Sequence, residues 1–276
     1  MSEINFLIVL YKKTLAESET VASIVAWPDA VKKRITRVIV WNNSPTLLSD
    51  EEKSEFKESL KNTEVVYSED GINHPLSQVY NSVVGMLPDH GLLVLWDHDS
   101  RIPETFLPAL IQAETAHPDV ALFLPKIFYN EQLVSPAKQY YFYGKYLKSV
   151  ASGLFKSRFT TAINSGMAIR CSYLAARHPI YNEEIKFYGT DNDFMYKYSR
   201  DNEYFFVLDT EIKHTLNFYE QDDLESTVRR YRDIKNGMLK QMASINPAVY
   251  LLAVLYMILY TLKLCFRFKT TRFFRS

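Results

Sequence analysis

Cysteine is nearly missing from this 276-residue chain: Cys171 and Cys265 lie far apart and form no metal-ligand spacing. That excludes a disulfide scaffold and a thiolate metal centre, and leaves two free thiols suited to a reducing compartment. Internal repeats and low-complexity tracts are absent. So is any secretory leader pattern. Met1-Ser2-Glu3 lacks a basic n-region, and the apolar run Phe6 to Leu10 is too short for an h-region, so a cytoplasmic chain is expected. Acidic residues stop at Asp233, after which Lys235, Lys240, Lys263, Arg267, Lys269, Arg272 and Arg275 stand unopposed. The formal net charge of zero thus hides an acidic body, with 25 basic against 32 acidic residues, and a basic tail. Such a tail suits an anionic surface. No nucleic-acid partner is expected.

What is present is ordinary for a globular protein: 47% hydrophobic and 23% charged residues, enough for one large domain or two small ones. Aromatic content reaches 14%, with 19 Tyr and 17 Phe, which serves stacking surfaces for sugars or bases as well as cores and membrane interfaces. Apolar runs at Asn5 to Tyr11, Arg37 to Trp41, Glu64 to Tyr67, Gly91 to Trp96 and Val120 to Pro125 read as strands. Between them, Leu15 to Trp27, Ser49 to Leu60, Pro75 to Met86 and Pro103 to Ala116 read as helices. This alternation predicts an α/β fold with a mostly parallel sheet covered on both faces. Beyond it, Thr160 to Arg170 reads as a strand and Asn192 to Arg200 as a helix. Phe205 to Leu208 and Glu211 to His214 read as short strands, and Leu224 to Ala243 as a polar helix. Tyr140 to Tyr143 reads equally as half-buried strand or as the lining of a groove.

The chemistry concentrates at Asp97-His98-Asp99, directly after the buried run Leu92 to Trp96. Carboxylates at the carboxyl end of a buried parallel strand sit where open α/β sheets bind ligands. Alternate residues of an extended chain share a face, so Asp97 and Asp99 address one object. Their mutual repulsion would be relieved by a divalent cation carried on a diphosphate.

Several blocks, in order over residues 4 to 217, resemble the family 2 glycosyltransferases of GT-A fold. Tyr11 closes a first strand like the one whose end contacts the base. Val38-Ile-Val-Trp-Asn-Asn-Ser44 resembles a second strand that usually ends Asp-Asn-Ser, with Asn42 in place of the Asp. Asn73 and Asn81 match a pair of asparagines eight apart, and Asp97-His98-Asp99 matches the DxD element. Asn164-Ser165-Gly166-Met167 resembles the Ser-Gly step before the acceptor side. Thr190-Asp191-Asn192-Asp193-Phe194 resembles the Glu-Asp-x-Asp-Phe block with Thr190 for Glu, and His214 matches a late His. The resemblance implies an inverting transfer of a sugar from a nucleotide-diphosphate donor to a hydroxyl acceptor. It assigns Asp191 as general base and Asp99, Asp97 and His214 to a Mg2+ or Mn2+ ion. It assigns Tyr11, Asn42, Asn43, Asn73 and Asp97 to the donor, and Gly166 and Asp193 to the acceptor side. It implies a catalytic domain over residues 1–220, divided into a nucleotide-sugar-binding half (1–126) and an acceptor half (127–220). A helical region (221–276) follows. Bacterial O-antigen or capsule assembly by rhamnosyl- or galactosyltransferases is the most similar setting, with a lipid-linked glycan as acceptor.

Two other readings stay open: a non-catalytic nucleotide- or sugar-binding module, and an aspartyl-phosphate phosphohydrolase. The latter usually places Thr or Val two residues after its second Asp, near the N-terminus; here that residue is Arg101. In the tail, Ala248 to Leu262 is uncharged, and fifteen helical residues span about 22 Å, short of a ~30 Å hydrocarbon core. Basic residues then interleave with Phe266, Phe268, Phe273 and Phe274. A helix lying in the membrane surface over residues 247–276, on the cytoplasmic face, is expected ahead of a span or a helix packed on the protein.

Overall fold

Seven consecutive buried residues, Ile4–Leu10, form strand β1 at the centre of the sheet. Phe6, Ile8 and Leu10 pack into one core and Leu7 and Val9 into the other, as a parallel strand covered on both faces requires. The computed structural model describes residues 2–214 and 223–274. After β1 come α1 (Glu19–Ala26), α2 (Asp29–Lys32), β2 (Arg37–Asn42), α3 (Asp50–Ser59), β3 (Glu64–Glu69), α4 (Leu76–Met86) and β4 (Leu92–Asp97). Then follow β5 (Ser100–Arg101), α5 (Phe106–Ala116), β6 (Leu122–Tyr129), β7 (Gln132–Ser135), β8 (Ala137–Tyr140), β9 (Tyr143–Lys145), β10 (Gly153–Lys156) and β11 (Thr160–Thr161). The remainder is β12 (Ala168–Arg170), α6 (Cys171–Ala175), α7 (Thr190–Asp201), β13 (Tyr204–His214), α8 (Leu224–Ile245), α9 (Pro247–Phe268) and a last 3-10 turn, Arg272–Phe274.

The main sheet runs β10-β13-β6-β12-β4-β1-β2-β3, and β11-β8-β9 form a small second sheet. Strands β3, β2, β1 and β4 are mutually parallel, with Val9 beside Asp97. Chain order climbs outward from β1 to β3, then jumps to β4 on the other side of β1. That reversal opens a crevice at the carboxyl ends of β1 and β4.

The expected mostly parallel sheet is in fact mixed. β12 runs antiparallel to both β4 and β6, because it starts from a loop held at the carboxyl end of β4. The expected strand Thr160 to Arg170 is interrupted for the same reason. Gly166 takes φ +83°, which no strand accommodates, so only β11 and β12 remain extended at its ends. The two short strands expected after Phe205 are one, β13, with a register shift between Val207 and Glu211.

Helices α8 and α9 form an antiparallel hairpin with small cores of its own, built on Val228, Tyr231, Met257, Leu264 and Phe273. Asn246 caps α9 by accepting the Val249 amide at 2.9 Å, and Lys269 ends it in the left-handed region. At 22 residues α9 is about 33 Å long. It continues through Lys263 and Arg267, which sit exposed and do not oppose it. The length limit read from the uncharged run alone therefore falls: by length and composition α9 could cross a membrane.

Candidate active site

The turn after β4 is fixed by its backbone. At the start of α1, the Ser18 hydroxyl donates to the His98 carbonyl at 2.9 Å, and the Thr20 hydroxyl donates to the Asp97 carbonyl. The Thr20 amide reaches the His98 carbonyl at 3.3 Å. From the opposite side, the Asp97 amide donates to Ser165 Oγ at 3.2 Å, and Ser165 Oγ pairs with Ser100 Oγ at 2.7 Å. Clamped this way, the turn holds Asp97 and Asp99, both half-buried, at the crevice. Burial lowers the pKa of His98, so its imidazole adds no counter-charge near neutral pH. Two adjacent carboxylates are hard oxygen donors. Mg2+ and Mn2+ accept one or two such ligands and complete their shells from phosphates and water. The donor set fits that use. Among the described residues, no three His, Cys, Asp or Glu side chains form a closed metal cage. The backbone of His214 pairs with Ser100, next to Asp99; its side chain lies outside the described residues.

Asp191 stands in the first turn of α7, after Gly189 turns the chain at φ +92°. Burial pushes its carboxyl up to about 6, although the Asn192 amide donates to it at 2.8 Å. Two features tie it to the Asp97 turn. The Asn164 amide group donates to Thr190 Oγ1 at 3.0 Å, while the next residue, Ser165, holds Asp97. Beneath them lies Tyr80 of α4, whose phenol is driven up by burial and then by the charges of Asp97 and Asp191. One buried tyrosine thus feels both acids.

On the β1–β2 side, Tyr11 is exposed at the end of β1. Asn42 donates to Thr46 O at 2.8 Å and Glu69 Oε2 at 2.9 Å, and accepts the Ser44 amide at 3.2 Å. Asn43 donates to Asn73 Oδ1 at 3.0 Å and His74 O at 2.9 Å, and accepts the His74 amide at 2.8 Å. Beyond β2 and β3, a cavity of about 410 Å3 opens against α4, lined among others by Trp41, Glu69, Asp70, His74 and Glu183. It touches neither Asp97 nor Asp191. Its carboxylates are already engaged, Glu69 with Lys53, Asp70 with His74 and Glu183 with Asn81.

No family model and no curated protein sequence matches the chain. Solved structures do. GalNAc-T7 in complex with UDP, GalNAc and Mn2+ matches 87% of this chain and 47% of its own, with a TM-score of 0.59 at 12% identity. TarS of S. aureus (residues 1–349) with UDP-GlcNAc matches 87% of this chain and 66% of its own, at TM-score 0.56 and 11% identity. The mannosyltransferase PcManGT from Pyrobaculum calidifontis, with GDP-Man and Mn2+, matches 92% and 69% at TM-score 0.56 and 10% identity. This chain has the GT-A fold. It spans about half the length of GalNAc-T7 and about two thirds of the TarS 1–349 segment, but 43% of the longer TarS chain.

Within the GT-A fold, the expected site residues separate into two groups. Asp97 and Asp191 both act on Tyr80, Asp99 follows Asp97 by two residues in the same turn, and Tyr11 and Asn73 stand exposed at the neighbouring strand end and loop. Four others serve the framework. Asn42 and Asn43 are buried with both amide hydrogens and the carbonyl engaged internally, so neither side chain is available to a base. Asn43 instead latches the Asn73-His74 loop onto β2. Asp193 is buried and pairs with Lys197 at 2.8 Å, while Lys197 also donates to Ile180 O. That carboxylate anchors α7 and does not face an acceptor. Gly166 is also buried; a Cβ there would stand 2.6 Å from Pro125 Cγ, so its role is to let the loop pass. Sequence reasoning missed Ser18, Thr20, Ser100 and Tyr80, and read Ser165 only as part of the Ser-Gly step. The signal of the serines and threonine is hydroxyl groups at a helix start and after strands, which becomes specific only once the strands are neighbours; Tyr80, inside α4, offers none.

Proposed function

We propose that the chain is an inverting glycosyltransferase moving a sugar from a nucleotide-diphosphate donor to a hydroxyl of a lipid-linked surface-polysaccharide acceptor. The carrying observation is the convergence of the clamped Asp97–Asp99 turn and the high-pKa Asp191 around Tyr80, at the switch point of a GT-A fold. The presence of UDP, GDP-Man and Mn2+ in similar structures supports the donor class.

Asp191 takes the proton from the acceptor hydroxyl as that oxygen attacks the anomeric carbon, a contribution of about 10²–10⁴ in rate. Its raised pKa makes it a stronger base than a solvated aspartate while leaving it ionised above about pH 6. Attack from the face opposite the leaving diphosphate inverts the anomeric centre. Asp99 and Asp97 would hold Mg2+ or Mn2+, with His214 as the further candidate. When bound, that ion neutralises charge on the departing diphosphate. Tyr11 offers its ring to the base, and Asn73, fixed by Asn43, offers its amide to the nucleotide. The acid pair closes the fourth strand in chain order, Asp97 at its end and Asp99 in the turn that follows, which disfavours the phosphohydrolase alternative.

The hairpin would dock the enzyme on the cytoplasmic membrane surface. Leu251, Leu255, Leu259 and Phe266 of α9 are exposed, while Val249, Ala253, Met257 and Thr261 are buried against α8. A spanning α9 would carry the charged α8, including Arg229, Arg230, Asp233 and Lys235, into hydrocarbon, so an in-plane position is favoured. Capsule or O-antigen assembly, with rhamnosyl or galactosyl transfer, fits that placement.

A thermal-shift panel of UDP-, GDP- and dTDP-sugars with Mn2+ identifies the donor, since a ligand that binds the folded state alone raises its melting temperature. With that donor, Asp191→Asn retains the shift and loses turnover. Retained turnover would remove Asp191 from the chemistry. A wild-type chain that binds donor yet never transfers it would favour the second reading, a binding module, to which the internal engagement of Asn42 lends support.

A further inference from the structure

Residues 182–188 lead through Gly189 directly to Asp191, and two elements hold them. On one side, α4 and its cap bind the backbone: the Leu76 amide donates to Lys186 O at 2.8 Å, and Asn81 brackets Tyr181 with bonds of 2.9 and 3.1 Å. On the other side lies α8. At Gly237 the helix approaches so closely that a Cβ would stand 2.4 Å from the Tyr188 carbonyl oxygen. Three residues later, Lys240 Nζ donates to Glu184 O at 3.1 Å. One turn earlier, Asp233 feels the charge of Lys186. Positions 233, 237 and 240 share one face of α8, so these contacts form a single seam. Glycine inside a long helix is disfavoured, and this approach gives the position its reason.

We propose that α8 positions the catalytic Asp191, with Gly237 and Lys240 as the residues that couple the helix to the 182–188 segment. This rests on the reading of Asp191 as the base. The segment fixes where the carboxylate stands relative to the acceptor hydroxyl and how deeply it is buried. Tyr80 from α4 and Tyr181 from the loop before α7 feel its charge, Asp97 of β4 meets it through Tyr80, and on α7 itself Asp193 is paired with Lys197. A carbonyl displaced at Tyr188 therefore moves the acid within a charged, buried setting. Misplacement of about 1 Å costs on the order of 10²-fold in rate.

The full-length chain carrying Gly237→Ala or Lys240→Met tests this. Hydrogen exchange on the protein alone reads the segment through the Ile185 amide, bonded to Asn182 O, and the Asp193 amide, bonded to Gly189 O. Both amides are expected to exchange faster in each variant. With the donor chosen by the thermal-shift panel, kcat falls roughly 10–100-fold while donor KM stays within about twofold. The acid limb of the kcat profile moves to lower pH as Asp191 gains solvent. Lys240→Arg restores the donor and with it the wild-type profile. Wild-type exchange and an unmoved acid limb in Lys240→Met, which removes only an exposed side chain, would overturn the proposal even if Gly237→Ala fails to fold. If Asp191→Asn keeps full turnover, the base assignment falls, and the exchange measurements still decide whether α8 holds the segment.

Discussion

Asp191 and Asp193, two positions apart, meet opposite fates, and burial decides both. Asp191 accepts the Asn192 amide at 2.8 Å in the first turn of α7, and burial pushes its carboxyl up to about 6. The competent form is the carboxylate, so kcat is expected to rise with pH through about 6 and level off above it. The same shift has a stability sign. A carboxyl whose folded pKa exceeds its ordinary 3.8 stabilises the fold below that value and loses the contribution as pH rises through the folded pKa. Asp191→Asn should therefore be no less stable than wild type at pH 7.5, and more stable by up to ~3 kcal/mol, read by denaturant unfolding. Asp193 is buried and ion-paired with Lys197. Asp193→Ala should lower stability by about 1–2 kcal/mol, since it empties a buried site and removes one partner of Lys197, which keeps its bond to Ile180 O, and leave acceptor KM unchanged in whatever folds. A raised acceptor KM with normal melting would restore it to the acceptor site. The ion pair has an i, i+4 acid–base spacing on a helix, which the assignment of Asp193 to the acceptor side passed over. The internal use of Asn42 was not, because its partner Glu69 stands 27 residues away on another strand.

The elements show where sequence pattern carries information. β1 and β4 were plain as unbroken apolar runs because each is central and covered on both faces. Two helix starts were legible too: Ser49 and Glu52 form a capping box on α3, and Pro75 precedes α4, whereas α1 begins behind the Ser18 cap and not at the expected Leu15. The 162–167 loop defeated the pattern. It lies between two extended segments and was read as one strand with them, yet its path depends on Gly166 passing Pro125 and on Ser165 bonding Asp97, contacts 41 and 68 residues away in sequence. That loop is the physical link between the Asp97 turn and α7. Gly166→Ala is expected to cost about 2–4 kcal/mol, from positive φ and from the clash with Pro125. It should also disturb the turn, so residual activity falls further than the loss of folded protein explains. A variant with wild-type melting and turnover would remove the loop from the account.

At the scale of the molecule, an acidic body carries a basic, apolar hairpin. Lys263 and Arg267 lie exposed on α9 near its apolar stripe. Their replacement together by Glu should weaken binding to phosphatidylglycerol vesicles by about 2 kcal/mol, near 30-fold, with less effect on neutral vesicles and a loss of salt dependence. Equal binding to both vesicle types by wild type would leave the basic residues without that role. The central claim is that Asp97 and Asp99 form the donor-diphosphate and metal end of one transfer site. Calorimetric titration of UDP or GDP, whichever the panel selects, with and without Mn2+, into wild type and the Asp97→Asn/Asp99→Asn variant tests it most directly. The account predicts that Mn2+ tightens nucleotide binding in wild type and does nothing in the variant; an equal Mn2+-dependent gain in both proteins would contradict it.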